Sequence, residues 1–329
     1  MKSISAGALV LLAALSGSAL SSRSIEATFV ATVQEVPAGL ERLEVWIPLP
    51  SGAPSQRVEI LDVVSPYTAS VRREGEHGNS YLYLTAHNPR PGELAVKVRF
   101  EAERHEVLRP ALRRAGQRSE SLEDLGKYLR ADRFVTLSPR VRGLARQVTY
   151  GHRSPEAKAR AIYDYVVNTM TYDKTAPGWG QGDTERACDV QKGNCTDFHS
   201  LFISLARAEG IPSRFVIGFP LPKDPEGKVP GYHCWAEFHI AGKGWVPVDA
   251  SDASKSSDPG RRDYLFGNLD PDRIQFTVGR DLKLDPPPCA EPLNYFIYPH
   301  AEGDGRVLNP VSIRLEYRDR ITKRAALKG

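Results

Sequence analysis

Cysteine is scarce in this chain: four in 329 residues, at Cys188, Cys195, Cys234 and Cys289. So few cannot form a disulfide-dense scaffold, which leaves each position to be explained separately. An excess of one charge is also lacking, since 44 Lys and Arg against 40 Asp and Glu leave a net charge of +4. That balance argues against a nucleic-acid partner. The 27 glycines and 25 prolines make roughly 16% of the chain, short of the ~25–30% typical of low-complexity sequence. There is no internal repeat. Beyond the N-terminus no apolar run approaches the ~18 residues of a membrane span. What remains is ample for a core: 41% of residues are hydrophobic and 26% charged, as in globular proteins. The length suits two domains, by a soft prior of one per ~150 residues.

Met1-Lys2 precedes an apolar stretch from Ile4 to Leu20, with small residues at Gly17-Ser18-Ala19. A basic start, a short apolar segment and small residues are the pattern of a secretory signal peptide. A signal peptide is therefore expected over residues 1–22, and a secreted or periplasmic mature chain without further membrane contact. From Ser24 to Val107 the sequence alternates with period two, as in Ala27 to Val33, Leu43 to Ile47 and Leu94 to Phe100, with turn residues between. Short strands at this spacing predict a β-sandwich over residues 23–107. An Arg-rich stretch (Arg104, Arg109, Arg113, Arg114, Arg118) reads as a solvated linker and, with a helix, fills residues 108–137.

The remainder, 138–329, mixes helices and strands. Ser138-Pro139 and Ser154-Pro155 each set an N-cap serine before a proline. A third helix is expected from Thr196 to Glu209, with Phe198, Leu201, Phe202 and Leu205 buried and Gly210 after it. Strands are expected at Ser213–Phe219, Tyr232–Ile240 and Gly244–Ala250. Further strands at Phe276–Val278, Asn294–Tyr298 and Val311–Tyr317 are expected to complete the same sheet.

Cys195 sits in Gly-Asn-Cys-Thr-Asp, where a loop enters that third helix. The free N–H groups and positive dipole end of a first turn stabilise a thiolate. They can also hold an oxyanion. His233 lies in Tyr-His-Cys-Trp-Ala-Glu and Asp249 in Gly-Trp-Val-Pro-Val-Asp-Ala on the returning strand. A thiol, a base and a carboxylate that orients the base form the generalised triad. The hairpin register decides whether Asp249 can serve. A two-residue loop would put His233 and Asp249 on opposite faces, leaving Asp252 opposite His233. A three-residue loop or a bulge at Pro247 restores the common face.

Other readings of the same residues are weaker. Cys188, Cys195, His199, His233 and Cys234 match no compact zinc spacing, and no Asp-x-Asp-x-Asp-Gly calcium loop occurs. No metal or cofactor is expected. His199 shares a helix face with Cys195 and reads as a buried supporting group. Cys234, next to His233 on a strand, should point to the opposite face and pack there. A Cys188–Cys289 disulfide has no local pattern behind it.

The three motifs, with Gly-Ile-Pro-Ser-Arg-Phe-Val-Ile-Gly-Phe between the first two, resemble the transglutaminase-like superfamily, in particular its bacterial secreted members. The resemblance runs from about residue 120 to 300. It implies an α+β fold: a papain-like core, with the cysteine helix packed on an antiparallel sheet, behind a β-sandwich that Val45-Trp46-Ile47-Pro48-Leu49-Pro50 also resembles. It implies Cys195 as nucleophile, His233 as base and Asp249, rather than Asp252, as orienter. The expected function is thiol-dependent amide hydrolysis of a protein or peptide substrate through a thioester. Glutamine acyl transfer in protein cross-linking is the alternative, and a non-catalytic cell-envelope binding protein a third. For the second oxyanion donor, Gln191 and Trp179 are the candidates.

Overall fold

The computed structural model describes residues 21–109, 122–289 and 292–320. The expected signal peptide lies outside the described residues up to position 20, as do Arg113, Arg114 and Arg118 of the linker. The first part of the chain is all strand: β1 (Ser22–Val36), β2 (Arg42–Pro48), β3 (Gln56–Val64), β4 (Ala69–Arg73), β5 (Ser80–His87) and β6 (Gly92–His105). Period-two alternation accounts for the faces. In β6, Leu94, Val96, Val98, Phe100 and Ala102 are buried while Lys97 and Arg99 are exposed. Phe29 of β1 stands opposite Val98, so the two strands contribute to one apolar face. Those side chains share a buried cluster with Leu43, Val45 and Ile47 of β2 and Leu82 and Leu84 of β5.

Helices dominate next: α1 (Leu122–Gly126), α2 (Pro139–Val148) and α3 (Pro155–Thr169), then β7 (Thr171–Tyr172), α4 (Thr184–Val190), β8 (Lys192–Gly193) and α5 (Cys195–Ala208). Ser138 and Ser154 cap α2 and α3, accepting from the amides of Val141 and Ala157 at 3.2 and 3.1 Å. The rest of the chain holds β9 (Ser213–Pro220), β10 (Glu226–Val229), β11 (His233–Ile240), β12 (Gly244–Val248), α6 (Ala250–Lys255), α7 (Pro259–Tyr264), β13 (Arg273–Val278), β14 (His300–Gly303), β15 (Arg306–Val307) and β16 (Val311–Asp319). The sheet beside α5 has the order β12-β11-β9-β13 and is antiparallel. Residues 195–207 of α5 are all buried, as befits a helix enclosed on every side.

The C-terminal strands correct one expectation. The segment Val311–Tyr317 does not complete the β12-β11-β9-β13 sheet. It forms β16, which pairs with β1, in a sheet of order β10-β16-β1-β6-β3. The 15-residue β1 pairs with β6 along one side only. Its other edge would expose a long row of N–H and C=O groups, and β16 covers it. Likewise β14 and β15 extend the sheet β15-β14-β2-β5-β4, so the last described strands return to the sandwich. Residues 294–298, also expected as a strand, run as irregular chain with Phe296 and Ile297 buried.

Two features tie the sandwich to the α5 core. Phe276 of β13 meets Phe29 of β1 at 5.1 Å and Phe219 of β9 at 4.9 Å, edge to face. Such pairs add ~0.5–1.5 kcal/mol beyond their burial. The excursion between β9 and β11 also crosses over, because β10 pairs with β16. The residues just before His233 are thereby anchored to the sandwich.

Candidate active site

Cys195 occupies the first position of α5. Asn194 is the N-cap: its side chain accepts from the Thr196 amide at 2.9 Å, while Asp197 accepts from the Asn194 amide at 2.9 Å. This reciprocal capping box fixes the helix start on which the thiol sits. Gly193 precedes it because a Cβ there would collide with Asp197.

The β11–β12 hairpin settles the register. Ile240 pairs with Gly244 and Ala236 with Val248, so the loop has three residues, Ala241-Gly242-Lys243. Asp249 follows directly and leaves the strand as the N-cap of α6. Its two oxygens divide the work. Oδ1 accepts from the Asp252 amide at 3.0 Å and the Ser251 hydroxyl at 3.2 Å. Oδ2 lies 2.7 Å from His233 Nε2 and accepts from Arg273 Nη1 at 3.0 Å. That leaves the Nδ1 side of His233 for Cys195, and each of the two groups shifts the other's ionisation. The structure thus brings Cys195, His233 and Asp249 together. Asp252 stands behind, its carboxylate 3.6 Å from His233 Nε2.

The charges alternate through a nearly closed interior. A hydrogen bond from the Cys234 thiol, joined by the charge and hydrogen bond of His233, outweighs burial and holds Cys195 well below the ordinary thiol range. Burial pushes His233 down, but Asp249 and Asp252 outweigh it and raise the imidazole to about 10. Burial alone would raise Asp249, whereas His233 and Arg273 hold it well below the usual carboxylate range. Arg273 continues the series to Asp270 at 3.3 Å, and Asp270 to Arg261 at 2.7 Å. Cys195, His233, Asp249 and Arg273 are buried, so each of their charges is tolerable only because the next is opposite, while Asp270 and Arg261 carry the series out towards solvent. Arg273 is a supporting residue that sequence reasoning missed, since nothing at the head of that strand distinguishes it from a surface arginine.

His199 is a supporting group, as expected. Its Nδ1–H donates to the Cys195 carbonyl at 2.7 Å, and its Nε2 accepts from the Ala250 amide at 3.1 Å. Both nitrogens are used by a neutral ring, and burial lowers its pKa accordingly. Cys234 departs from expectation. Its sulfur lies 3.6 Å from His199 Nδ1 and 3.9 Å from Thr196 Oγ1, facing α5 rather than packing away from the site. The pair alternates along β11, but His233 is its first residue, so both can approach the start of α5. All four cysteines are free thiols.

An open cleft of 330 Å³ reaches Cys195 and is lined by Trp179, Gly180, Gln181, Tyr232 and Tyr298 among others. Trp179 therefore lines the same cleft as the thiol, while Gln191 is exposed in a left-handed turn and is not among the lining residues. The wall carrying Trp179 is held from two sides. Asp197 accepts from the amides of Gly180 and Gly182 at 2.7 and 3.1 Å. Arg280 donates to the carbonyls of Gln181 and Gly182 at 2.7 and 3.2 Å. Gly182 has φ +67°, and a Cβ there would strike Arg280 and Ser200. Asp197→Ala would orphan three buried amides, and a loss of ~2–5 kcal/mol is expected. Urea denaturation reads this as a lowered midpoint, which Asp197→Asn should partly recover.

For a cation, the converging groups among the described residues are His233, Asp249 and Asp252, with ligand atoms within 4.8 Å of one another. Arg273 already supplies positive charge to Asp249 there.

A thiol at a helix start, with a strand histidine and its carboxylate, on a helix packed against an antiparallel sheet, defines a papain-like α+β core. Residues 142–250 match the model of the transglutaminase-like superfamily, and the chain belongs to that superfamily. A Haemophilus influenzae protein of uncharacterised function is 30% identical over 322 residues, spanning 86% of this chain and 87% of that one. A solved structure from Cytophaga hutchinsonii, proposed to be a cysteine protease, shares the fold with a TM-score of 0.62 at 16% identity, covering 92% of this chain and 94% of that chain. A protein-glutamine gamma-glutamyltransferase of Pseudomonas aeruginosa is 28% identical over 120 residues, 34% of this chain but 18% of that protein.

Proposed function

We propose that this protein is a thiol-dependent amide hydrolase acting on peptide or protein substrates through Cys195, His233 and Asp249. The observation that carries the reading is the 2.7 Å His233–Asp249 pair beside a cysteine at the first position of α5. The Cys195 thiolate adds to the amide carbonyl, and the helix-start N–H groups, with a donor from the Trp179 wall, receive the oxyanion. The His233 imidazolium gives its proton to the departing nitrogen, leaving a thioester. Water then loses a proton to His233 as it attacks, the acid leaves, and the thiolate–imidazolium pair is restored. Asp249 keeps the imidazole oriented throughout.

An amine in place of water would give acyl transfer, and the Pseudomonas aeruginosa relative is the reason to keep that second reading. Export through the N-terminal signal would place either reaction outside the cytoplasm. The test is a peptide library incubated with full-length protein recovered from the cell envelope, with and without a labelled primary amine, read by mass spectrometry. The same sample shows whether the signal has been removed. Hydrolysis products dominating in the presence of amine are expected. Amine incorporation above hydrolysis would replace this reading with the second, and no product of either kind would remove both.

A further inference from the structure

Two hollows flank the thiol–imidazole pair, and they differ in chemistry. The 330 Å³ cleft touches Cys195 but not His233. A second hollow of 380 Å³ touches His233 but not Cys195, and is lined by Asp252, Arg261, Asp270, Asp272 and Arg273. Resting on the proposed reaction, the chemistry assigns a polarity. The departing nitrogen must lie where His233 can protonate it, and the acyl carbon stays on sulfur. The acyl half of the substrate therefore occupies the cleft on the Cys195 side.

That cleft is aromatic and, apart from the Cys195 thiolate paired with His233, carries charge of one sign. Tyr172, Trp179, Tyr232, Tyr295 and Tyr298 line it together with Lys174, and no Asp or Glu does. Trp179 and Tyr298 are 39% and 38% exposed, so their rings are open to a ligand. Tyr232 is held in place: it packs edge to face on Tyr298 at 5.9 Å and receives a hydrogen bond from Asn194 at 3.0 Å. Lys174 lies over the rings of Tyr172 and Trp179 at 5.8 and 6.0 Å. Among the described residues it pairs with no carboxylate, whereas neighbouring Lys255 is already bound to Asp252 at 3.0 Å.

We propose that the cleft selects an acyl donor presenting a flat apolar group to Trp179 and Tyr298 and a carboxylate to Lys174, that is, an acidic peptide with an aromatic residue. The aromatic faces supply area at low entropic cost, and Lys174, which pairs with no carboxylate among the described residues, supplies the discrimination. Lys174 is exposed, so reversing its charge leaves the core untouched.

The test measures binding apart from turnover. Blocked peptides carrying Phe followed by Glu, Gln or Lys on the acyl side are titrated by calorimetry into full-length Cys195→Ala, with Lys174 intact or replaced by Glu. With Lys174 intact, the Glu peptide should bind about fivefold tighter than the Gln peptide and the Lys peptide weakest, the scale of an exposed ion pair. Lys174→Glu should invert that order, and Tyr298→Ala should weaken all three peptides alike. An order unchanged by Lys174→Glu, or a wild-type cleft that favours the Lys peptide, overturns the assignment. The same peptides are offered to wild type in parallel. Charge-selected binding without hydrolysis upholds the cleft's selectivity and removes the hydrolase reading, leaving transfer to an amine as the reaction it serves; turnover without charge selection does the reverse.

Discussion

Cys195→Ala should lose hydrolysis by about 10⁴-fold or more in kcat/KM, the scale found when a nucleophile is removed from a working triad. The fold should survive, because alanine is well suited to the first turn of a helix and the Asn194–Asp197 cap does not involve the thiol. The variant also separates the four cysteines chemically. Iodoacetamide at neutral pH should modify Cys195 first, since a hydrogen bond from Cys234 and the charge of His233 keep it ionised. Cys188 should lag, because burial raises it to about 11. Burial also raises Cys234 well above the ordinary thiol range. The fast phase, followed by peptide mapping, should vanish in Cys195→Ala. Labelling of Cys188 or Cys289 as rapid as that of Cys195 would remove the special status of this thiol, whatever the activity.

The legible part of the molecule is the part written in local patterns. The period-two strands of the sandwich, the Ser-Pro helix starts and the helix opening at Cys195 follow from spacing and capping residues. The juxtaposition of Cys195, His233 and Asp249 was legible because the three motifs lie in order along one stretch of chain. What escaped depends on pairing between distant segments. The periodicity of β16 reports a strand but not its neighbour, and only the open edge of β1 determines that it joins the sandwich. Arg273 and Arg280 are invisible for the same reason: their carboxylate and carbonyl partners, at Asp249 and at Gln181 and Gly182, come from other elements. Cys234 was misplaced because alternation describes the middle of a strand, while His233 stands at its end. The hairpin lies between these cases. Two registers were open, and the pairing of Ile240 with Gly244 is what places Asp249, not Asp252, at hydrogen-bonding distance from the imidazole.

That choice carries the second large effect. Asp249→Asn keeps the shape but removes the charge that outweighs burial at His233. In the wild type the raised pKa of about 10 keeps the imidazole protonated and able to serve the leaving group through neutral pH. Activity should therefore fall on the alkaline side as His233 loses its proton near that value. In the variant Asp252 is the one carboxylate left beside the imidazole among the described residues, so the alkaline limb should move to lower pH. The amide can also hold the ring in the wrong tautomer, so kcat should fall by about 10³–10⁴-fold. The stability signs follow from linkage. A histidine raised by folding stabilises fully below its unfolded value of ~6.5, and the contribution is lost as pH rises through about 10. Asp249, depressed by folding, stabilises above its unfolded value of ~3.9 and loses that contribution as pH falls through its folded one. In Asp249→Asn the acid-side contribution should be absent and the alkaline-side one reduced to what Asp252 supplies, flattening thermal denaturation against pH at each end. Rate and denaturation profiles of wild type and variant, measured together, decide the matter. A variant within tenfold of wild type, with its alkaline limb unmoved, would transfer the orienting role to Asp252, 3.6 Å from the same nitrogen.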